Sequence, residues 1–353
     1  MCMQYRSNSG KWCLVRMTLL PEWVIPMRSR SKSIAPGPLD LRHAARRTLA
    51  PFNLPVQMFV MTKSRWALLP CLVALALLAG CATQPPPPSP PPAPVAETWR
   101  VVTYNIHHGA GLDGRVDLER IAGVLRRLDA DVIALQEVDS VVARSGGEDQ
   151  ARRLGELLGM HHAFGAFMDY QGGRYGMAIL SRCAIRRVNP VRLPDGNEPR
   201  IALAVELDAP GGPLTLVNVH FDWVADDGFR YAQAQRVARF LDSLSTPYIL
   251  AGDFNDRPHT RTLALFRERA REAAKMGEQR FTFSANDPDR EIDYVFVSGR
   301  DPWTVVNVKV VEEKVASDHF PVVAELVLRR RAEAASTPLR TLASGRPARA
   351  CAR

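Results

Sequence analysis

The sequence predicts an α/β fold in which two mixed β-sheets pack face to face and helices cover their outer sides, a four-layer sandwich. Strand-like apolar runs alternate with helical patterns over residues 98–328. About nine such runs are more strands than one sheet holds comfortably in a domain of this size. Some runs lead into a helix, whereas those over 177–221 follow one another directly, as in hairpins. Two packed sheets accommodate both kinds of strand.

The strand candidates are rich in Val, Ile and Leu, residues that fit a pleated, half-buried surface. They cover 99–106, 131–138, 177–182, 201–208, 214–221, 248–254, 292–298, 304–311 and 321–328. Apolar residues at helical spacing predict helices over 117–128, 150–159, 228–242 and 261–274. In the first helix Leu118, Ile121 and Leu125 share one face, and Asp117 is the predicted N-cap.

The net charge of +9 at pH 7 would by itself suggest a negatively charged partner such as nucleic acid. Its distribution along the chain removes that interpretation. Residues 1–81 contain 11 Lys and Arg against 2 Asp and Glu, and residues 329–353 contain 7 against 1. The remaining residues, 82–328, contain 28 against 34, a net charge of −6. The predicted folded domain is therefore acidic and lacks the basic excess typical of a nucleic-acid binder.

Of the six cysteines, only Cys183 lies within 82–328. We therefore expect Cys183 to be a small buried hydrophobic residue without a disulfide partner. No Cys/His spacing typical of a zinc site is present in the sequence. The expected lack of a disulfide, like the acidic charge, weighs against a secreted DNA-degrading enzyme.

Residues 61–80 have the organisation of a signal peptide, with a basic start followed by an apolar run over 66–80. That run is shorter than the about 20 residues of a membrane span. It ends in LAGC (78–81), which resembles the lipobox of bacterial lipoproteins. The resemblance implies cleavage before Cys81 and lipidation of its thiol. The alternative is a buried helix that ends in a cysteine.

The residue after the cysteine is Ala82, not Asp, and by resemblance to enterobacterial lipoproteins this implies an outer-membrane anchor with the domain facing the periplasm. Residues 81–97 form the predicted linker, and its 84–94 segment, QPPPPSPPPAP, favours an extended polyproline tether or, alternatively, a ligand for a proline-binding domain. Since a signal peptide belongs at an N-terminus, we interpret 1–60 as the product of a mis-assigned start codon. The tail, 329–353, is predicted to be disordered. We expect the protein to be a monomer.

The polar residues of 98–328 that suggest chemistry fall at strand ends. Asn105, Glu137, His220 and Asp253 lie at the ends of predicted strands, Asp293 lies early in its strand, and Asp318–His319 directly precede another. Loops at strand ends expose side chains while the sheet holds them rigidly. A carboxylate beside apolar strand residues is costly to bury unless something compensates its charge. A hard divalent cation is the usual compensation, and Mg²⁺ prefers carboxylates, waters and phosphate oxygens.

Six segments follow one another in a recognisable order. They are TYNIHHG (103–109), LQEVD (135–139), NVHFD (218–222), GDFND (252–256), IDYVF (292–296) and SDHFPV (317–322). Together they resemble the endonuclease/exonuclease/phosphatase superfamily over 99–328. The resemblance implies the two-sheet sandwich and the hydrolysis of phosphate esters with Mg²⁺ or Mn²⁺.

The resemblance also implies roles for eight residues. Those assigned to the metal are Glu137, Asn105 and Asp318. Those assigned to catalysis are Asp253, which acts on the attacking water, His319, which bonds the scissile phosphate, Asp293, which orients His319, and Asn255 and His220, which face phosphate oxygens. The reaction would be direct in-line attack of water on phosphorus, since the chain has no GxSxG nucleophile motif.

Three further residues are candidates for substrate binding. His107 and His108 closely follow Asn105, and Arg200 precedes a predicted strand. The opening NIHHG…VDLERIA…LQEVD is most similar to domains linked to remodelling of glycosylphosphatidylinositol anchors and to bacterial relatives. Fold and core motifs do not choose a substrate, so phospholipids, inositol phosphates and nucleic acids remain open. A nuclease, or a non-catalytic binding lipoprotein on the same fold, are the alternatives.

Overall fold

The structure, a computed structural model, describes residues 2–6, 12–16, 95–330, 348–349 and 351. The chain divides into two units, 1–86 and 87–353. In the first unit, β1 (Cys2–Arg6) and β2 (Trp12–Arg16) form an antiparallel pair. The predicted signal peptide, the lipidation site Cys81 and the proline-rich segment lie outside the described residues. Within the part that is described, no helix is both long and apolar enough to cross a membrane.

The second unit alternates strands and helices. Its strands are β3 (Val95–Asn105), β4 (Val132–Ser140), β5 (His161–Tyr170), β6 (Gly173–Ser181), β7 (Ile185–Arg192), β8 (Ile201–Leu207), β9 (Leu214–His220), β10 (Tyr248–Asp253), β11 (Ala270–Glu272), β12 (Asp293–Ser298), β13 (Trp303–Val310), β14 (Val322–Arg330) and β15 (Ala348–Arg349). Its helices are α1 (Leu118–Leu128), α2 (Gln150–Leu158), α3 (Gly228–Asp242) and α4 (Arg261–Arg267), and short 3₁₀ turns occur at His107–Gly109 and Ala143–Ser145.

The strands form two mixed sheets. The first has the order β13-β14-β3-β4-β6-β5, with β15 beside β3, and the second has the order β11-β12-β10-β9-β8-β7. Each sheet has a parallel pair near its centre, β3–β4 in the first and β9–β10 in the second. The predicted α/β fold of two packed mixed sheets is confirmed.

Three apolar layers hold the sandwich together. The middle layer lies between the sheets and contains the fully buried side chains of Trp99, Leu203 and Leu216. One outer layer packs α1 and α2 on the first sheet, and the other packs α3 and α4 on the second. Burying each large apolar side chain contributes about 1.5–3 kcal/mol. The four layers therefore follow from strands that are apolar on both faces and helices that are apolar on one.

Helix α1 begins where the sequence predicts. The Asp117 carboxylate accepts a hydrogen bond from the backbone N–H of Arg120, which satisfies one of the free donors of the first turn. Leu118, Ile121 and Leu125 are buried against the first sheet. Capping and an apolar face thus act together to place this helix.

Several elements of the second unit differ from the sequence prediction. Strands β5 and β7 were not predicted, and both are edge strands of their sheets. In β5 the buried face is Ala163, Gly165 and Phe167, and two of these residues are too small to mark a strand. The helix predicted over 261–274 ends at Arg267, because the next residues pair with β12 as β11. Tertiary pairing there overrides the local helix propensity.

The C-terminal tail returns to the sandwich. Its β15 pairs in parallel with β3, and Cys351 forms a disulfide with Cys183. The expectation that Cys183 has no disulfide is therefore wrong, because its partner lies in the basic tail that composition separates from the domain. The expectation of disorder is wrong for these tail residues as well, and 331–347 lie outside the described residues. The lack of a disulfide no longer argues against a secreted nuclease.

Candidate active site

Four of the predicted site residues lie at one edge of the two sheets because of strand direction. Asn105 is the last residue of β3, His220 of β9 and Asp253 of β10. Asp293 begins β12, which runs antiparallel to β10 and so starts at the same edge. In the register of the second sheet, Asp253 stands between His220 and Asp293. The sheets therefore bring together side chains that are far apart in sequence.

The spacing between β9 and β10 requires a glycine. Gly252 pairs with Val219 in the parallel register, with a φ of +154°. A Cβ at this position would overlap the carbonyl oxygen of Val219. Only glycine therefore allows the two strands to approach closely at the residues that directly precede Asp253 and His220.

Glu137 reaches the site through an irregularity of β4. The register with β6 shifts between Leu135 and Val138, and Glu137 has a φ of +56°. Bulges of this kind re-aim a side chain at functional sites. Glu137 is partly exposed, whereas its neighbours in β4 are buried. Its carboxylate accepts a hydrogen bond of 2.9 Å from the amide nitrogen of Asn105.

The Asp253 carboxylate is the centre of the polar network. Its Oδ1 accepts a hydrogen bond of 2.8 Å from the backbone N–H of Asn255. Its Oδ2 lies 3.2 Å from Nδ2 of Asn105 and 3.6 Å from Nε2 of both His220 and His319. Burial and the nearby Asp293 raise the pKa of Asp253 to about 7. A carboxyl group with that pKa can accept a proton near neutral pH.

His319 is paired with a buried carboxylate. Its Nδ1 donates to Oδ2 of Asp293 over 2.9 Å, and the Phe283 ring lies 4.8 Å from the imidazole. Burial lowers the pKa of His319, but Asp293 and Asp253 outweigh it and raise that pKa to about 10. His319 is therefore a cation at neutral pH. The second oxygen of Asp293, Oδ1, is buried, and none of the described residues is its hydrogen-bond partner.

His220 lies on the other side of Asp253 and has the opposite tendency. Burial, with the nearby Arg200 guanidinium, holds the pKa of His220 well below its ordinary value. Its Nδ1 is buried and has no hydrogen-bond partner in the described ranges of the chain. The pKa of Glu137 is raised by burial and lowered by His220 and the Asn105 hydrogen bond, with a result of about 2. Glu137 is thus ionised at any physiological pH.

A cleft of about 360 Å³ collects these groups. Its lining includes seven of the residues predicted from the sequence: Glu137, Asp253, Asn255, Asp318, His319, His220 and Arg200. Asn105 and Asp293 are fully buried and contact lining residues from below. The structure therefore gathers the eight predicted metal and catalytic residues at one place, together with Arg200.

Arg200 is held by packing as well as by charge. Its guanidinium lies over the Phe167 ring at 4.9 Å, and Nη2 contacts the Glu198 carboxylate at 2.9 Å. Nε and Nη1 of Arg200 are buried, and no acceptor for them lies in the part of the chain that the structure describes. A buried cation whose donors are only partly paired is costly unless another group compensates it. Arg200 therefore suits an anionic substrate group.

In the described part of the chain, His107 and His108 are not among the residues that line the cleft. Each offers a ring nitrogen near the Glu137 carboxylate, and the three candidate ligand atoms lie within 4.8 Å of one another. Burial, with the nearby Arg144, lowers the pKa of His108 to about 4. That they bind substrate stays a prediction.

Several lining residues were not predicted from the sequence. They are Tyr175, Glu198, Trp223, Phe283, Arg290 and Ile292. Trp223 is 59% exposed. It directly follows the NVHFD segment, and a tryptophan beside a motif is a feature from which the sequence could have predicted it as a lining residue. Tyr175 and Phe283 had no comparable signal, because each is brought to the cleft by strand pairing or by a long loop.

The donor set suits a divalent metal. Glu137 and Asp318 present carboxylates at the cleft, and Asn105 supports Glu137 from the end of β3. Oxygen ligands of this kind are preferred by hard cations. The buried Oδ1 of Asp293 and the Asp253 carboxylate form a second cluster of candidate ligands with His319 and add acidic oxygens at the same place, and the His319 cation offsets part of their charge.

Comparison with known proteins agrees with this geometry. The model of the Endonuclease/Exonuclease/phosphatase family matches residues 102–319. The solved endonuclease/exonuclease/phosphatase of Beutenbergia cavernae is 26% identical with a TM-score of 0.56, over 66% of this chain and 72% of that chain.

Two other solved structures share the fold at lower identity. The mannosyl-6-phosphatase of Bacteroides thetaiotaomicron is 20% identical with a TM-score of 0.53, over 65% of this chain and 99% of that chain. The catalytic domain of human nocturnin with bound sulfate is also 20% identical with a TM-score of 0.53, over 66% and 94%. Since the matched segment of the family model begins in β3 and ends at His319, it contains every predicted metal and catalytic residue of the cleft, and the chain belongs to the endonuclease/exonuclease/phosphatase family.

Proposed function

We propose that this chain is a divalent-metal-dependent hydrolase of phosphate esters in which water attacks phosphorus directly. The observation that carries the proposal is the buried arrangement of Asp253 between His220 and His319, with Asp293 behind His319. Asp253 as the base, His319 as a cation and His220 as a neutral imidazole then lie together at the bottom of a polar cleft. Nearby, Arg200 offers further positive charge to an anionic substrate.

His319 stabilises the charge that develops on the phosphoryl oxygens. Its Nδ1 is bound to Asp293, so Nε2–H points toward the side of Asp253 and the cleft. As an imidazolium it offers a charge-assisted hydrogen bond that strengthens as the oxygens gain charge. Asp293 fixes both the tautomer and the orientation of the ring.

Asp253 orients the attacking water and accepts its proton. The backbone N–H of Asn255 fixes Oδ1, so Oδ2 is the oxygen directed at the two histidines. Asn255 itself has a φ of +49°, and its amide nitrogen donates to the carbonyl of Phe221 over 3.0 Å. The turn after β10 is thereby held in the shape that keeps Oδ2 in place.

Glu137, with Asp318 and Asn105, would hold the metal, Mg²⁺ or Mn²⁺, which when bound neutralises phosphate charge and assists the leaving oxygen. The Asn105 amide donates to both Glu137 and Asp253. It therefore sets the distance between the metal carboxylate and the base. A change in one half of the site is transmitted to the other through this single side chain.

Phosphate esters other than duplex nucleic acid are the substrates that we favour. The net charge of −6 over 82–328 gives no general attraction for a polyanion. The neighbouring folds include a mannosyl-6-phosphatase, so sugar phosphates belong among the compounds to test. Phospholipids follow from the proposed membrane anchor, and inositol phosphates from the sequence resemblance.

The test is a substrate panel with and without metal. The purified chain is assayed on a phosphomonoester, a phosphodiester, phospholipids, inositol phosphates, a sugar phosphate, and single-stranded and duplex DNA. Activity is expected with Mg²⁺ or Mn²⁺, with loss after exhaustive chelation and recovery on adding the metal back. Full activity after chelation would contradict metal dependence. Activity on no ester, with the metal bound, would favour the non-catalytic binding lipoprotein.

We also propose that Cys81 is the mature N-terminal residue and carries lipid at the bacterial outer membrane, with the domain facing the periplasm. The support is the LAGC segment and the proline-rich tether after it. A product that starts at Met61 should partition into detergent, and its Cys81→Ser variant should not. Equal partitioning of the two forms would contradict the lipid anchor.

A further inference from the structure

The 3₁₀ turn after β3 contains two consecutive histidines with unusual backbone conformation. His107 and His108 both have a φ of +45°. In an extended strand, consecutive side chains point to opposite faces. The left-handed conformation instead brings the two rings together, with centroids 4.5 Å apart. Non-glycine residues adopt it rarely, and pairs of them call for a reason.

Hydrogen bonds fix this turn against the strand that carries Glu137. The buried Gln150 donates from Nε2 to the carbonyl of His108 over 2.7 Å, and its Oε1 accepts from the N–H of Asp139 over 2.9 Å. Asp139 lies two residues after Glu137 in β4. One side chain therefore ties the histidine turn to the glutamate.

The ring of His107 has a defined tautomer. Its Nδ1 lies 3.2 Å from the carbonyl oxygen of Ala110, which can only accept a hydrogen bond. Nδ1 therefore carries the proton and Nε2 carries the free lone pair. A backbone carbonyl on one ring nitrogen is the usual companion of a metal on the other. In His108, Nδ1 is buried, and the residues that the structure describes offer it no hydrogen-bond partner.

We infer that His107, His108 and Glu137 form a site for a transition-metal ion of intermediate softness, such as Zn²⁺ or Co²⁺. One donor atom of each residue lies within 4.8 Å of the other two. Donors around one such ion are about 3–4 Å apart, so small side-chain rotations complete the set. Two imidazoles favour these ions over Mg²⁺, which prefers oxygen. The inference goes beyond the proposed function and shares only Glu137 with it, because the histidine pair would add an ion of a different class beside the Mg²⁺ or Mn²⁺ proposed for the cleft.

The test measures metal binding, not hydrolysis. Full-length chain freed of metal is titrated with Co²⁺ by equilibrium dialysis and visible absorption. We expect about one Co²⁺ per chain, displaced by Zn²⁺, with shifted N–H proton signals from two coordinated imidazoles. His107→Asn and His108→Asn should each raise the Kd for Co²⁺ at least about tenfold. Asparagine is chosen because it tolerates a left-handed φ.

The chain offers a matched control in its other histidine pair. His161 and His162 are also consecutive and are exposed at the start of β5, so His161→Asn with His162→Asn should leave Co²⁺ binding unchanged. Unchanged binding in the His107 and His108 variants, or an equal loss in both pairs, overturns the inference. If a variant fails to fold, the wild-type spectrum decides, because absence of shifted imidazole N–H signals also overturns it. If Co²⁺ binding depends on the histidine pair but the chain hydrolyses no ester, only the proposed function is contradicted. If the chain hydrolyses an ester with Mg²⁺ but the histidine pair has no role in Co²⁺ binding, only this inference is contradicted.

Discussion

The two sides of the cleft contain the same residue type in opposite electrostatic surroundings. On the β12–β14 side, His319 donates to the Asp293 carboxylate, and its pKa is raised to about 10. On the β8–β9 side, His220 has an unpartnered Nδ1 and the Arg200 guanidinium nearby, and its pKa is lowered. Both rings lie 3.6 Å from the same Asp253 oxygen. Burial lowers the pKa of both rings, and the difference comes from their neighbours: the Asp293 and Asp253 carboxylates reverse the effect at His319, whereas Arg200 adds to it at His220.

The largest expected effect tests this asymmetry directly. Removal of one preorganised donor to a developing oxyanion typically lowers kcat about 10²–10³-fold, so His319→Ala should do at least this. His220→Ala should lower kcat only about ten- to thirtyfold, because a neutral donor contributes roughly half the free energy of a charged one. Steady-state kinetics and thermal unfolding on the same preparations measure both. Equal losses in two folded variants would remove the distinction between the sides, and His319→Asn serves if the alanine variant unfolds.

A smaller effect is expected from Asp293→Asn, read in the pH profile. In the wild type, activity should rise as Asp253 loses its proton near pH 7 and fall as His319 loses its proton near pH 10. Asp293 raises both pKa values, so its neutralisation should move both limbs to lower pH, the upper one by about one unit or more. A profile of kcat against pH that keeps its upper limb would show that Asp293 does not hold the charge of His319.

On the opposite side, Arg200→Met should act mainly on substrate binding. Methionine keeps the packing on Phe167 but removes the charge. A hydrogen bond to a charged group contributes about 1.5–3 kcal/mol, so KM should rise about tenfold or more with a smaller change in kcat. Arg290→Met is the matched control, since Arg290 lines the cleft with a 44% exposed side chain and should matter less. An equal change in both variants would contradict a special role for Arg200.

The smallest effect concerns stability. The folded pKa of Asp253 is raised from 3.8 to about 7, so the folded state loses stability relative to the unfolded state as pH rises through that window. Asp253→Asn removes this penalty. Its Tm relative to the wild type should therefore increase between pH 4 and pH 7, by at least about 2 °C. Unfolding is followed in chelator, and a Tm difference independent of pH would contradict the raised pKa.

Much of the site could be predicted because its residues sit at regular places. Asn105, His220 and Asp253 end apolar strands, and strand ends can be read from sequence. Their mutual distances could not, because the register of β9, β10 and β12 is set by long-range pairing. The positive φ of Glu137 could not be predicted from the sequence either, since a bulge depends on the partner strand.

The errors have the same physical origin. Pro190 lies in β7, where its missing N–H is tolerated only because β7 is an edge strand, and a sequence window cannot see edges. The disulfide was missed because Cys183 and Cys351 are 168 residues apart. Local signals predicted the helices, the central strands and the apolar edge strand β13, whereas β5, β7 and the cross-link depend on contacts distant in sequence.

The glycine at the contact of β9 and β10 has a consequence for redesign of the cleft. Because Gly252 allows the backbones of β9 and β10 to approach closely, the distance between His220 and Asp253 is set by the main chain. It does not depend on the side chains around the cleft. A library aimed at new substrates can therefore vary the rim at Glu198, Trp223 and Arg290 freely while the reacting groups keep their spacing. A methyl group at position 252 would instead push the backbones of β9 and β10 apart and so separate His220 from Asp253. No substitution at the rim would restore their spacing.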